Sequence, residues 1–298
     1  MAMTRWRLGV IGGSGLYHID GLTDARWVDT HGPFGAASDQ ALAGRLDGVD
    51  LVFLPRHGRG HRISPGAINA RANIYALKAL GCTDIVSISA VGSLREALAP
   101  GRFVVVDQFI DRTVRRPPSF FEVGCVAHVS MADPVCPRLS SLAAEAARRA
   151  GASVVEGGVY LAMEGPQFST RAESRLYRSW GCDVIGMTAM PEAKLAREAE
   201  TPYASVCMVT DYDCWRDEGE DVDVTSIVKV MQANAELARG LIRQLAGALS
   251  AQPRTASPID SCLDGALITP ADARDAATLD QLKLILGRVL SQPEPATP

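Results

Sequence analysis

Hydrophobic residues follow two alternating rhythms along this chain, and the alternation predicts the architecture. Short, β-rich apolar runs at residues 7–11, 49–54, 85–88, 103–110, 154–164, 183–185 and 203–208 read as strands, that at 154–164 long or broken. Between them the spacing turns helical. In 69–80, Ala72, Tyr75, Ala76 and Ala79 share a face and Gly81 closes the helix; 138–150 is alanine-rich and stops at Gly151. Thr170 and Glu173 stand in capping-box relation ahead of 171–180, and Pro191 starts a further helix with Glu192 in its opening turn. Residues 224–249 form a long amphipathic helix. Segment 42–46 pairs with 49–54 as a hairpin turning at Asp47-Gly48. Strands alternating with helices give an α/β single domain. That domain is placed at 1–250. Residues 251–298 are a C-terminal extension, with a Pro-bearing linker at 252–258, one amphipathic helix at 278–290 that could dock on the body, and a disordered tail at 293–298.

Composition narrows the function classes. The net charge of −4 is mild and no basic run appears, which argues against nucleic-acid binding. The apolar runs are strand-sized, so no membrane span is expected, and residues 1–7 lack the apolar region of a signal peptide. Seven cysteines form neither a CxxC nor a zinc-like pattern, which points to reduced thiols in a cytoplasmic protein.

Candidate chemistry gathers where strands end. The run 7–11 enters Gly12-Gly13-Ser14-Gly15, a turn whose backbone N–H groups and Ser14 hydroxyl could close on an anion, or which simply needs glycine. Its spacing is not GxGxxG, and no Walker lysine follows. The run 49–54 delivers Arg56, His57, Arg59, His61 and Arg62; Arg56 is the candidate anion ligand, because guanidinium binds phosphate as a planar fork. Ser89 and Ala90 follow 85–88, and Thr188 stands beside a helix start. Ser14, Arg56 and Ser89 are consistent with one phosphate site outside neighbouring strand ends. Met187 suits the face of a ring or sugar, or a place in the core. Asp211 and Asp213 follow 203–208; two apart on an extended backbone, they would face one side as paired acceptors for a ligand with adjacent donors. Taken alone, the same pair reads more simply as an Asx turn with solvated acids. A lone His128 reads as a satisfied structural residue, and the stripe Val224, Ile227, Val228 and Met231 as core packing.

Eight motifs change those last readings. IGGSGL, FLPRHGRGH, ISAVGSLRE, DQFIDRT, RP with SF close by, EGPQFSTRAES, MTAMPEA and TDYDCW, in that order, resemble the methylthioadenosine phosphorylases of the trimeric purine nucleoside phosphorylase family, over residues 7–245. The resemblance implies a single domain with a twisted mixed β-sheet flanked by helices. It also implies phosphorolysis of 5′-methylthioadenosine to adenine and 5-methylthioribose 1-phosphate, with no metal or organic cofactor and phosphate as co-substrate. By position it assigns Ser14, Arg56, His57, Ser89, Ala90 and Thr188 to phosphate, Met187 to ribose and base, and Asp211 and Asp213 to the purine. Val224, Ile227 and Val228 would wall the methylthio group, with His128 supplied by a neighbouring subunit of a homotrimer. Family members often carry threonine at the positions of Ser14 and Ser89, and arginine at that of Gln167. Some thermophilic members end in a CxC motif, whereas Cys262 stands alone.

Base choice and catalysis follow from donors and acceptors. A 6-aminopurine offers N–H groups, so it calls for acceptors, and ionised aspartates only accept. Relatives that act on 6-oxopurines resemble a different choice, carrying asparagine in the aspartate pair and glutamate at the position of Ser169. Asp211 is the candidate general acid at N7 and Asp213 the selector of the amino group. Two readings stand beside this one: a phosphorylase acting on adenosine or methylthioinosine, and a nucleotide-binding protein without enzymatic activity.

Overall fold

The computed structural model describes residues 5–13, 15–16, 19–216 and 224–291, apart from the side chains of 224–227 and 229. Ser14 and the predicted tail at 293–298 lie outside the described residues.

The short apolar runs become a sheet covered on both faces. In chain order the described elements are β1 (Arg7–Gly12), β2 (Thr23–Val28), β3 (Ala41–Leu46), β4 (Val49–Pro55), α1 (Ala70–Ala79), β5 (Asp84–Ser93), β6 (Phe103–Val106) and β7 (Gln108–Asp111). Then follow α2 (Pro137–Arg149), β8 (Val154–Glu156), β9 (Val159–Ala162), α3 (Arg171–Ser179), β10 (Val184–Gly186), α4 (Ala189–Glu198), β11 (Tyr203–Asp211), α5 (Val224–Ser250), α6 (Ala276–Gln281) and α7 (Lys283–Leu290). Val10, Leu51, Phe53, Val86 and Ile88 pack with α2 and α5 in one core. Ile11, Val52, Leu54, Ile85 and Tyr203 point the other way, toward α1, α4 and α7. Burial on both faces explains why these strands read as continuous apolar runs.

β5 organises the sheet. Its first half pairs parallel with β1 as far as Ser87, which sits opposite Ile11. Its length pairs parallel with β11, and its last residues turn to pair antiparallel with β10 at Gly92 and Ser93. Beyond β1 the order runs β4, β3, β2; beyond β10 it runs β9, β7; beyond β11 it runs β6, β8. The strand therefore passes from one set of neighbours to another between Ser87 and Gly92. Such a divergence opens a crevice at the strand ends.

Local predictions hold at several ends. Thr170 and Glu173 form a reciprocal capping box on α3, and the Asp47-Gly48 turn has both residues at positive φ, as a tight hairpin requires. The 154–164 run is broken, into β8 and β9. β2 was not legible: it is mostly exposed and carries no alternation. Segment 126–131 makes an isolated bridge, Ala127 to Leu267, outside the named strands.

The C-terminal segment differs most from expectation. It holds two helices, α6 and α7, where one was expected, and it is packed into the main body. Leu263, Leu282, Ile285 and Leu286 are buried in the same core as α1 and α4. Arg254 bridges the fully buried Asp84 (2.5 Å) and Asp260 (2.6 Å), while Arg288 holds Glu200 (2.5 Å).

Candidate active site

Where β5 parts from β1, small residues and hydroxyls line the opening. Ser89 and Ala90 lie on β5 opposite Cys207 and Met208 of β11. Arg56 follows β4 directly, and its N–H extends the ladder to the Gly12 carbonyl at 2.9 Å. Thr188 precedes α4, whose regular turn begins at Pro191 because Met190 is extended (φ −118°, ψ 137°). The Ser89 and Thr188 hydroxyls are buried and close no hydrogen bond. Such groups are costly to leave unmet, so each marks a place for a polar partner.

Arg56 is 2% exposed, and its fork faces inward rather than toward the opening. Nε and Nη2 donate to the two carboxylate oxygens of Glu192 (3.0 and 3.1 Å). Nη2 also reaches Ser87 Oγ (2.6 Å) and the Ile11 carbonyl (3.3 Å), and Nη1 reaches the Ile88 carbonyl (3.1 Å). Glu192 further accepts from the Tyr203 hydroxyl at 2.8 Å. One Nη1 proton is left without an acceptor among the described residues. The sequence pointed to Arg56 as an anion ligand; within the chain its fork engages Glu192, Ser87 and two backbone carbonyls. His57 Nδ1 lies 2.8 Å from the Ile63 carbonyl, so that nitrogen carries the proton and Nε2 is an acceptor. Burial, with Arg56 beside it, lowers the His57 pKa to about 4, so the ring is neutral at pH 7.

The carboxylate pair has a geometry that neither sequence reading described alone. β11 carries an irregularity between Val209 and Asp211, which sets Asp211 opposite Gly92. Asp213 is not extended; its φ is +52°. Its N–H donates to Asp211 Oδ1 (2.8 Å), an Asx turn, and Thr210 Oγ1 donates to Asp211 Oδ2 (2.7 Å). The turn is present, and both acids are half-buried rather than freely solvated. Burial raises the Asp211 carboxyl above the usual range despite both hydrogen bonds. Burial raises Asp213 too, with the Asp211 charge adding to it and the hydroxyls of Ser174 and Ser169 opposing it. Asp213 Oδ2 is buried and closes no hydrogen bond. Ser169 joins this group, since its carbonyl accepts from Cys214 Sγ at 3.1 Å.

Met187 packs on Gly165: a Cβ there would lie 2.5 Å from its sulfur. Arg116 fixes both loops by donating to the carbonyls of Met187 (2.6 Å) and Glu164 (2.6 Å). Val224 and Ile227 fall on the first turns of α5, where side chains are not described, and Val228 is 45% exposed. Among the described side chains of α5, Ala238, Leu241 and Ile242 are buried in the core. His128 is not brought to Asp211 within the chain. It lines a separate cavity of about 320 Å³ with Phe121, Lys194 and Glu198.

A mixed sheet with hydroxyls, a buried cation and a carboxylate pair following its strands has matches among known proteins. The model of the phosphorylase superfamily covers residues 7–246. The chain belongs to the phosphorylase superfamily. It is 60% identical over 285 residues to the S-methyl-5′-thioadenosine phosphorylase of Cereibacter sphaeroides, covering 95% of this chain and 98% of that one. It resembles a crystal structure of methylthioadenosine phosphorylase from an antarctic soil metagenomic library, with a TM-score of 0.89, 46% identity and coverage of 95% and 99%. It also resembles a variant of adenosine/methylthioadenosine phosphorylase from Schistosoma mansoni in complex with adenine, with a TM-score of 0.78, 37% identity and coverage of 83% and 93%. Coverage this long gives most of the C-terminal segment a counterpart in such superfamily relatives, which the sequence reading did not foresee.

Within this superfamily member, sequence reasoning overlooked the residues that hold others in place. Glu192 was read as a helix-start acid, and nothing local linked it to Arg56. Gly92, Thr210 and Arg116 carried no signal beyond their places in the motifs.

Proposed function

We propose that the protein catalyses phosphorolysis of 5′-methylthioadenosine, in which phosphate captures the anomeric carbon as adenine leaves, giving 5-methylthioribose 1-phosphate. The observation that carries the reading is the half-buried carboxylate pair at the end of β11, with Asp211 raised above the usual carboxylate range, in a chain whose relatives are S-methyl-5′-thioadenosine phosphorylases.

Phosphate is held by Ser14, Ser89 and Thr188 hydroxyls, the backbone at Ala90, the remaining Nη1 proton of Arg56, and His57. Neutral His57 accepts from a protonated phosphate oxygen through Nε2. Glu192 balances the Arg56 charge, so directed hydrogen bonds rather than net charge hold the anion. Breaking the glycosidic bond develops positive charge on the sugar and negative charge on the purine. Bound phosphate stabilises the first, and Asp211, with its raised pKa, donates to or shares a proton with N7 to relieve the second. Asp213 accepts from the 6-amino group, with Ser169 beside it, and Met187 packs on ribose and base. Val224, Ile227 and Val228 wall the 5′ pocket, completed by His128 from a neighbouring subunit of a homotrimer. The chemistry uses no metal or organic cofactor, and the protein works in the cytoplasm.

A second reading, in which adenosine is also a substrate, is favoured by the Schistosoma mansoni relative named for both nucleosides. The test of Asp211 is Asp211→Asn. Turnover of methylthioadenosine should fall about 100-fold or more while the KM for phosphate stays within about threefold. Near-normal turnover would remove Asp211 from the general-acid role.

A further inference from the structure

Helix α3 lies along the stretch that carries Asp213. Arg171 Nη1 donates to the carbonyls of Cys214 (3.0 Å) and Arg216 (2.6 Å), and the Arg178 guanidinium stands 3.6 Å over the Trp215 ring. Ser174 comes three residues after the first of these arginines and four before the second, so it shares their helix face. It is fully buried and its Oγ closes no hydrogen bond. Asp213 Oδ2, on the stretch this face covers, is also buried and unmet. One group can donate and the other can only accept.

We infer that Ser174 is a positioning residue for Asp213: its hydroxyl donates to the Asp213 carboxylate and holds it ionised and aimed at the amino group of a 6-aminopurine. This rests on the base-reading role proposed for Asp213. Donation needs only rotation about the serine side-chain bonds, and a carboxylate has lone pairs enough for Ser174 and the base together. The helix offers a fixed platform, since the Thr170–Glu173 box caps its first turn and the Ser174 N–H donates to the Thr170 carbonyl at 2.9 Å. Burial works to neutralise Asp213, and the Ser174 hydroxyl is the foremost group opposing it. The titratable neighbours of Asp213 are Asp211 in its own stretch and Tyr177 on α3.

Ser174→Ala, Ser174→Cys and Asp213→Asn are compared for nucleoside KM, phosphate KM and the pH profile of kcat/KM. Loss of the donor lets Asp213 take up a proton at higher pH. Ser174→Ala should therefore move the acid limb upward by roughly one pH unit and raise the nucleoside KM about tenfold. The phosphate KM should change by less than about twofold, and Ser174→Cys, a weaker donor, should fall between. Should the alanine variant fail to fold, the cysteine variant carries the same comparison. An unmoved acid limb with an unchanged nucleoside KM overturns the inference, as does an equal loss for nucleoside and phosphate. If Asp213→Asn also leaves the nucleoside KM unchanged, the base-reading role itself has failed.

Discussion

A Cβ at position 92 would stand 2.9 Å from Asp211 Oδ1, 3.1 Å from Ile185 and 3.4 Å from the Asp213 Cβ. Glycine is needed there because the carboxylates press against the backbone of β5, so Gly92→Ala must push them outward. We expect kcat/KM on methylthioadenosine to fall about 10- to 100-fold, since displacements of this size at a reacting group carry penalties of that order. The phosphate KM should be nearly constant; steady-state kinetics checks both, and an unaltered kcat/KM would show that the pair tolerates displacement. At this scale residue types were legible and their orientations were not. A cation straight after a buried strand identified Arg56, but its direction is set by Glu192, which is 136 positions away. The aspartates were legible as a pair, yet the irregularity at Thr210 arises in the pairing with β5, a contact that no local pattern encodes, and Asp213 is left-handed rather than extended.

Helix α4 links the site to the cavity on the far side. Thr188 and Glu192 stand at its start, and Glu198 at its end accepts from the Phe120 N–H (2.7 Å) and Ser119 Oγ (2.8 Å). Burial pushes the Glu198 carboxyl from 4.5 up to about 7. Between those two values the folded protein keeps a proton that the unfolded chain releases, so stability from this group falls as pH rises through the window and is lost above about 7. Glu198→Gln mimics the protonated acid. Its Tm should match that of the parent protein at pH 5 and exceed it by about 2–4 °C at pH 8. Equal gains at both pH values would mean that the effect is not ionisation. Elements with strong period-2 or capping signals were legible, as α3 and the β3–β4 hairpin illustrate. β2 was not, because an exposed edge strand has no apolar face to alternate.

For the whole molecule, the order of the motifs carried the fold class further than composition did. The C-terminal segment was legible as an extension with a helix that could dock, but not how it docks, because its ties are long-range: Arg254 to Asp84, Arg288 to Glu200, and Ile285 and Leu286 of α7 in the core with α1. Its sequence resembles a linker followed by a short helix, and only the docked partners reveal that it completes the core. The central claim concerns what this body does with the crevice at the end of β5. The protein is mixed with 5′-methylthioadenosine with and without inorganic phosphate, while adenine and the sugar product are followed. The account predicts adenine release that requires phosphate and yields 5-methylthioribose 1-phosphate in equal amount. Equal release without phosphate, giving free methylthioribose, would contradict it, as would no release from any nucleoside.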